Sequence, residues 1–326
     1  MNQPLVSIFC LSYNHVQFIR KCLESLVAQK CDFKYEILIH DDASTDGTQE
    51  IIKEFQERYP ELIKPIFQKE NQWSKKPGGN NLLFNYPRAK GKYIALCETD
   101  DFWIGEDKLQ KQIDFLKQNP DCLFVCGGYL MIKNNKQQEF IKKNESHSQK
   151  GFYFDLDDLK ESWFIRPSTA VFRNLPEKLD QLKKYEFTFD VHLFYLLLKN
   201  GKGFYFSELL AGYNRHSGGV YSGSSTQDLI LMQYLIAKEI FEEEKDDFMK
   251  DQFFRAATYL LNLKISGLLY PKKIKTEYLK DRIPRFKIIL KDIKPLISTP
   301  AQKKLYLKSF IPFQMKFLIN KIRSLI

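Results

Sequence analysis

The chain has 326 residues, 44% of them hydrophobic and 14% aromatic, which is ample for a packed core and excludes a disordered chain. Its formal net charge of +10 and pI near 9.1 point to an anionic partner (nucleotide, lipid surface or nucleic acid), although a lysine-rich proteome gives the same balance. The excess is concentrated after Lys264, and roughly the first hundred residues are closer to balanced.

Leu5 to Leu11 is a short β-rich run that Ser12-Tyr13-Asn14 closes with turn chemistry. Phe18, Ile19, Cys22, Leu23, Leu26 and Val27 then recur at helical spacing. A second strand, Tyr35 to His40, leads into Asp41-Asp42-Ala43-Ser44-Thr45-Asp46-Gly47-Thr48, and a helix bearing Ile51, Ile52 and Phe55 stops at Pro60. Ile63 to Gln68 reads as a strand, Asn71 to Gly79 as a loop, Asn80 to Ala89 as a helix and Tyr93 to Cys97 as a buried strand. Asp107 to Gln118 is helical, and Leu123 to Gly127 returns as a strand. This alternation predicts a mainly parallel sheet flanked by helices, with residues 1–130 as a nucleotide-binding half. Lys133 to Lys150 is polar and reads as a loop or hairpin. Asp190 to Lys199 reads as a helix, and Phe204 to Phe206 and Leu209 to Tyr213 as two short strands. From Gln227 the chain looks helical. There is no internal repeat.

The six cysteines lie mostly in apolar runs without zinc-like pairing, so they are expected to be reduced core residues. Met1 to Pro4 shows no signal-peptide pattern, and no apolar run reaches the length of a spanning helix. The expectation is a cytoplasmic protein, with peripheral contact to the cytoplasmic face of the inner membrane in view. Met315, Leu318, Ile319, Ile322 and Ile326 share one helical face, with Lys316, Lys321 and Arg323 off it. That pattern suits an interfacial helix on an anionic membrane as well as one packed on its own domain.

The chemistry is concentrated in Glu98-Thr99-Asp100-Asp101-Phe102-Trp103, at the end of the Tyr93 to Cys97 strand. Carboxylates crowded at a strand end repel one another and lose hydration. A divalent cation relieves both, and oxygen ligands suit Mg²⁺ or Mn²⁺. Asp41-Asp42 ends a second strand in the same way. If the two strands are parallel, both acidic ends lie on one edge of the sheet. Helix capping explains Ser44 and Asp46 but not the doubled acids.

Leu11-Ser12-Tyr13-Asn14, Asp41 to Thr48 and Glu98-Thr99-Asp100-Asp101, in this order and spacing, resemble family 2 glycosyltransferases of the GT-A fold. The resemblance covers about residues 5 to 220. It implies an α/β fold, a Rossmann-like nucleotide-binding mixed sheet flanked by helices, with a helical C-terminal extension. The expected organisation is a GT-A domain over residues 1–225, with an acceptor-binding half at 131–225, and a helical, basic region at 226–326. By this resemblance Ser12, Tyr13 and Asn14 face the nucleotide base and Asp42 bonds its ring N–H. Asp100 contacts the ribose or donor sugar, and Asp101 binds Mn²⁺ or Mg²⁺ on the diphosphate. Glu98 stands where the family usually has Asp, which leaves its role open.

An inverting transferase also needs a base for the acceptor hydroxyl. In the family this is an acid at the start of a helix in the second half, which implies Asp190, with Glu186 as the fallback and an N-cap as the other reading of Asp190. His216, in Arg215-His216-Ser217-Gly218-Gly219, is implied as a metal or phosphate ligand on a flap. Trp103, Trp163 and Arg166 could line an acceptor pocket, with buried packing as the other reading of Trp163. The implied reaction moves a sugar from a nucleotide sugar, UDP by family preference, to a glycan or lipid-linked glycan in cell-envelope synthesis. Nucleic acid is not expected as a partner. Two other functions compete. A sugar-nucleotide pyrophosphorylase would carry a Gly-rich, Arg-containing loop after the first strand, which Leu11 to Asn14 lacks. A non-catalytic anion- or membrane-binding module would leave the acidic strand ends unexplained.

Overall fold

The computed structural model describes residues 3–75, 78–142, 150–160, 162–269 and 277–310. The chain forms two compact units, Met1–Arg215 and His216–Ile326.

In the first unit, β1 (Val6–Ser12), β2 (Tyr35–Asp41), β3 (Ile63–Phe67) and β4 (Tyr93–Leu96) lie in the order β3-β2-β1-β4, all parallel. β1, β2 and β4 are nearly continuous apolar runs because both faces of a parallel sheet are covered by helices. α1 (Ile19–Val27) buries Ile19, Cys22, Leu23 and Leu26, and α2 (Thr48–Arg58) buries Ile52 and Phe55, one face of each. α3 (Lys108–Gln118) does the same with Leu109, Ile113 and Leu116. Five of the six cysteines are buried and none is bridged, in line with their reading as core residues.

Beyond β4 the sheet becomes mixed. Its full order is β3-β2-β1-β4-β9-β6-β10-β5, where β5 is Phe102–Trp103, β6 Cys122–Lys133, β9 Val171–Arg173 and β10 Lys202–Asn214. β9 runs antiparallel to both β4 and β6, whereas β6 and β10 are parallel. β7 (Lys136–Phe140) folds back on β6, and β8 (Gly151–Phe154) pairs with β10. Of the polar segment after Lys133, the part to Phe140 closes a hairpin, with left-handed Asn134 and Asn135 at its tip, the backbone that a tight two-residue turn requires. α4 (Pro176–Leu179) and α5 (Asp190–Asn200) complete the unit.

Two local expectations change. Asn80 to Ala89 is a π-helical turn, Asn81–Asn85, followed by a 3₁₀ turn, Tyr86–Arg88. Pro87 lacks the N–H that a regular helix needs, and Asn85 Nδ2 donates to Cys10 O of β1 at 3.2 Å. The two short strands near Phe204 and Leu209 are one strand, β10, with register breaks between Phe206 and Leu209 and between Leu209 and Ala211.

The second unit is helical, as expected: α6 (Val220–Gly223), α7 (Thr226–Glu244), α8 (Asp247–Ile265), α9 (Glu277–Lys280), α10 (Phe286–Ile293) and α11 (Pro300–Ser309). Ser225 and Asp228 cap α7 reciprocally, and Asp246 caps α8. Among the described residues no helix is long and apolar enough to cross a membrane. The amphipathic pattern from Met315 to Ile326 lies outside the described residues.

The acidic strand depends on a close approach at its start. The Gly91 N–H donates to Ser7 Oγ at 2.9 Å, and that hydroxyl donates to Glu36 Oε1 at 2.7 Å. A Cβ on Gly91 would lie 2.4 Å from Ser7 N and 2.7 Å from the Val6 carbonyl carbon, both backbone atoms of β1. Gly91→Ala is therefore expected to destabilise the first unit by about 3 kcal/mol, read as a lower urea midpoint of unfolding.

Candidate active site

Parallel pairing sets the site's frame. Ser12 lies opposite Asp41, and Phe9 opposite Leu96, so the C-terminal ends of β1, β2 and β4 open on one edge of the sheet. Ligands of open α/β sheets usually sit at such an edge.

The three motif segments are laced together there. Asn14 adopts a left-handed backbone (φ 55), donates its N–H to Ser44 Oγ at 2.9 Å and accepts from Thr45 N at 2.9 Å. His15 N donates to Thr48 Oγ1, and its Nδ1 lies 2.8 Å from Thr99 Oγ1. Thr99 in turn donates both its N–H and its hydroxyl to Leu11 O. Ser12 is buried, whereas Tyr13 is 47% exposed. Asp41 is structural: its carboxylate accepts from Ser44 N, Ser44 Oγ and Gln49 Nε2, closing the turn that enters α2. Asp46 accepts from Val16 N and from the N–H and hydroxyl of Thr48, so it caps α2 from just outside Gly47.

Asp42 has partners that the sequence did not suggest. Its Oδ1 accepts from Gln72 N at 2.6 Å, and its Oδ2 from Trp73 N at 3.0 Å and Asn80 Nδ2 at 3.2 Å. The carboxylate thus anchors both ends of the loop at residues 71–80. That loop reaches α5: Trp73 packs edge-on against Phe189 with ring centroids 5.9 Å apart. Gly78, at φ +81, leaves a Cβ position only 3.0 Å from the Thr188 carbonyl carbon.

The carboxyl groups at the end of β4 share one field. Asp101 is 4% exposed. Its Oδ1 accepts from Asn214 N at 3.1 Å, and Asn214 Nδ2 donates to Asp100 O at 2.6 Å, which ties the acidic turn to the end of β10. Burial, then Asp100 and Glu98, push the Asp101 carboxyl well above the usual range, against the Ser168 hydroxyl and the Asn214 N–H. Burial, Asp100 and Asp190 raise Glu98 to about 7, against Arg166. Glu98, left open in the sequence, therefore feels the charge of Asp190. A ring nitrogen of His15 and a carboxylate oxygen of Asp100 lie within 4.8 Å of each other. No sequence signal had marked His15, because it stands just beyond the turn motif.

Asp190 is the first residue of α5, with Phe189 rather than Asp190 at the N-cap. Its Oδ1 accepts from Val191 N at 3.0 Å. Burial raises its carboxyl, opposed by Arg166, the Val191 N–H and His192. Glu186 is exposed, and the charges acting on Glu98 include that of Asp190. Arg166 is half-buried, its guanidinium 4.0 Å over the Tyr213 ring and 4.9 Å over that of Tyr129. The charge of Arg166 acts on Glu98, Asp190 and Asp101 alike.

Trp103 corrects an expectation. It is 4% exposed in the core, its indole N–H donates to Ser168 O at 2.9 Å, and Lys108 Nζ sits 3.8 Å over its ring. No open face remains for a sugar. Lys108, equally unforeseen, is buried with its Nζ donating to Gln112 Oε1, and burial lowers its amine to about 7. Gln112 passes the link on to Thr169 O, so this inner network props the segment that carries Arg166 and Ser168. Trp163 is half-buried. His216 opens the second unit, where its carbonyl accepts from Ser222 Oγ at 2.6 Å and from Gly219 N at 3.3 Å.

A protein of Mycobacterium tuberculosis strain H37Rv, described only as uncharacterised, is 31% identical over 225 residues, which span 68% of this chain and 62% of that relative. The Escherichia coli UDP-Glc:alpha-D-GlcNAc-diphosphoundecaprenol beta-1,3-glucosyltransferase WfgD is 33% identical over 136 residues, 41% of this chain and 49% of its own. Among solved structures, S. aureus TarS in complex with UDP-GlcNAc superposes with a TM-score of 0.56 over 91% of this chain and 90% of that one, at 16% identity. That likeness establishes the GT-A fold, a mixed sheet flanked by helices. The family model described as glycosyl transferase family 2 matches residues 7–179, more than half of the chain and every motif that builds the acidic strand ends. The chain belongs to glycosyl transferase family 2.

Proposed function

We propose that the chain transfers a sugar, with inversion, from a UDP-linked nucleotide sugar to a hydroxyl of a glycan or lipid-linked glycan of the cell envelope. The observation that carries this reading is the shared field of Glu98, Asp100, Asp101, Asp190 and Arg166 at one sheet edge. Crowded, desolvated carboxyls there favour a cationic cofactor and leave one acid for proton transfer. The UDP preference is supported by the donors that the names of WfgD and of the TarS complex print, and the lipid-linked acceptor by the diphosphoundecaprenol in the name of WfgD.

In this reading the exposed Tyr13 ring stacks on the base, beside Ser12 and Asn14. Asp42 accepts the base N–H while its other lone pairs keep the loop of Gln72 and Trp73. Asp100 meets the ribose or donor sugar, near His15. The oxygen-rich donor set at Asp101 and Asp100 fits Mn²⁺ or Mg²⁺, and its mutual repulsion is what such an ion would relieve. Bound on the diphosphate, the ion supplies charge stabilisation for the leaving nucleoside diphosphate. The family resemblance adds His216 as a further metal or phosphate ligand. Asp190 takes the proton of the acceptor hydroxyl, its burial making it a stronger base than a free carboxylate. Arg166 orients the acceptor and steadies Asp190 in its ionised form. The exposed Glu186 keeps only a peripheral part at the acceptor.

Asp190→Asn is expected to lower transfer by about three orders of magnitude while calorimetry still finds UDP-sugar binding; Glu186→Gln should change transfer little. The reverse pattern would hand the base role to Glu186. A nucleotide-sugar screen with Mn²⁺ that finds no donor bound or hydrolysed, or an Asp101→Asn variant that turns over like the unaltered chain, would overturn the whole reading.

Protons compete with a cation at these carboxyls, and burial and mutual repulsion, which raise both Glu98 and Asp101, strengthen that competition. Glu98 sits near 7, so Mn²⁺ affinity by titration calorimetry is expected to rise between pH 6 and pH 8. In Glu98→Gln the rise across neutrality should be smaller.

A further inference from the structure

The second unit carries an unpaired basic face that the proposed catalysis does not use. Thr299 and Gln302 form a capping box at the start of α11, and Pro300 occupies its first turn. The inward side of the helix is fixed on α8: Gln302 Nε2 donates to Asp251 Oδ1 at 2.9 Å, and Asn262 Nδ2 donates to Ser309 O at 2.8 Å. Helical spacing then turns Lys303, Lys304, Leu307 and Lys308 outward together, and all four are exposed. Leu307, at the centre of that stripe, is 58% exposed, and Phe310 at its end is 38% exposed.

α10 repeats the arrangement. Ile289 and Ile293 are buried, leaving Lys287, Ile288 and Lys291 outward, with Phe286 also exposed at its start. From Arg282 to Phe310 the one acid is Asp292, and it is already taken by Tyr234 Oη at 2.6 Å and Lys238 Nζ at 2.8 Å. Among the described residues no carboxylate neutralises Lys287, Lys291, Lys303, Lys304 or Lys308.

We propose that the outward sides of α10 and α11 are docking sites for a bilayer bearing anionic headgroups. Lysine ammonium groups on flexible stems would reach the headgroups, while Leu307, Phe310, Phe286 and Ile288 enter the interfacial layer. The apolar residues favour a bilayer over a nucleic acid, because aliphatic Leu307 and Ile288 have no use against a phosphate backbone. The inference is independent of the proposed reaction and needs no acceptor to test.

The full chain is mixed with phosphatidylcholine vesicles, with or without phosphatidylglycerol, and sedimented at low and high salt. It should pellet only with the anionic vesicles and be released by salt. The triple variant Lys303→Glu/Lys304→Glu/Lys308→Glu should lower vesicle partitioning by about tenfold or more, and Leu307→Ser by a smaller factor. All four positions are exposed, so circular dichroism and the unfolding midpoint should match the unaltered chain. The proposal is overturned if that chain stays in the supernatant with both vesicle types, or if the triple variant pellets as fully as it does. It is equally overturned if Leu307→Ser dissociates a dimer without touching vesicle binding, or if the lysines are needed for RNA binding and not for lipid.

Discussion

Three carboxyl groups, Glu98, Asp100 and Asp101, are confined at the end of one buried strand, and much of the first unit answers to that constraint. In water such groups would spread apart and ionise; here β4 fixes their backbone, and burial raises the two best-enclosed carboxyls. The fold holds the turn from several sides. Thr99 is tied to Leu11 of β1, Asp101 to Asn214 of β10, and Arg166 supplies a positive charge between two tyrosine rings. Like charges kept together at a low-dielectric edge cost stability, which marks this edge as a functional site.

At the same edge one loop joins the end of β2 to the start of α5. Asp42 at the end of β2 holds Gln72, Trp73 and Asn80, and Trp73 and Gly78 lie against Phe189 and Thr188, just before Asp190. A residue expected to read the base is thus also the anchor of the segment nearest the proposed base catalyst. Beneath the site, buried Lys108, Gln112 and Trp103 form a polar network inside an apolar core, each with a hydrogen bond. Such networks are costly when half made, and this one holds the carbonyls of Ser168 and Thr169 in place.

Chain pattern alone was sufficient for β1, α1, β2, α2, β4 and α3, because each carries its own signal: an unbroken apolar run, or one apolar face at helical spacing. The acidic strand ends were legible for the same reason, since Asp41-Asp42 and Asp100-Asp101 follow directly on those runs. The helix α5 with Asp190 at its start was also readable. Wherever the outcome depended on a partner remote in the chain, the local signal failed. β10 is one strand because β6, β8 and β5 all pair with it. Trp103 looked like a sugar platform, yet tertiary packing put Lys108 over one face and closed the rest.

The sequence by itself thus determined the family, the succession of strands and helices in the nucleotide-binding half, and which acids end the strands. Those features follow from residue type and short-range periodicity. Only the tertiary structure decided which acids meet. The charge of Asp190 acts on Glu98, some ninety residues before it, and Asp42 takes its partners from a loop about thirty residues on. Electrostatic coupling depends on distance and burial in space, and neither is written in the order of residues.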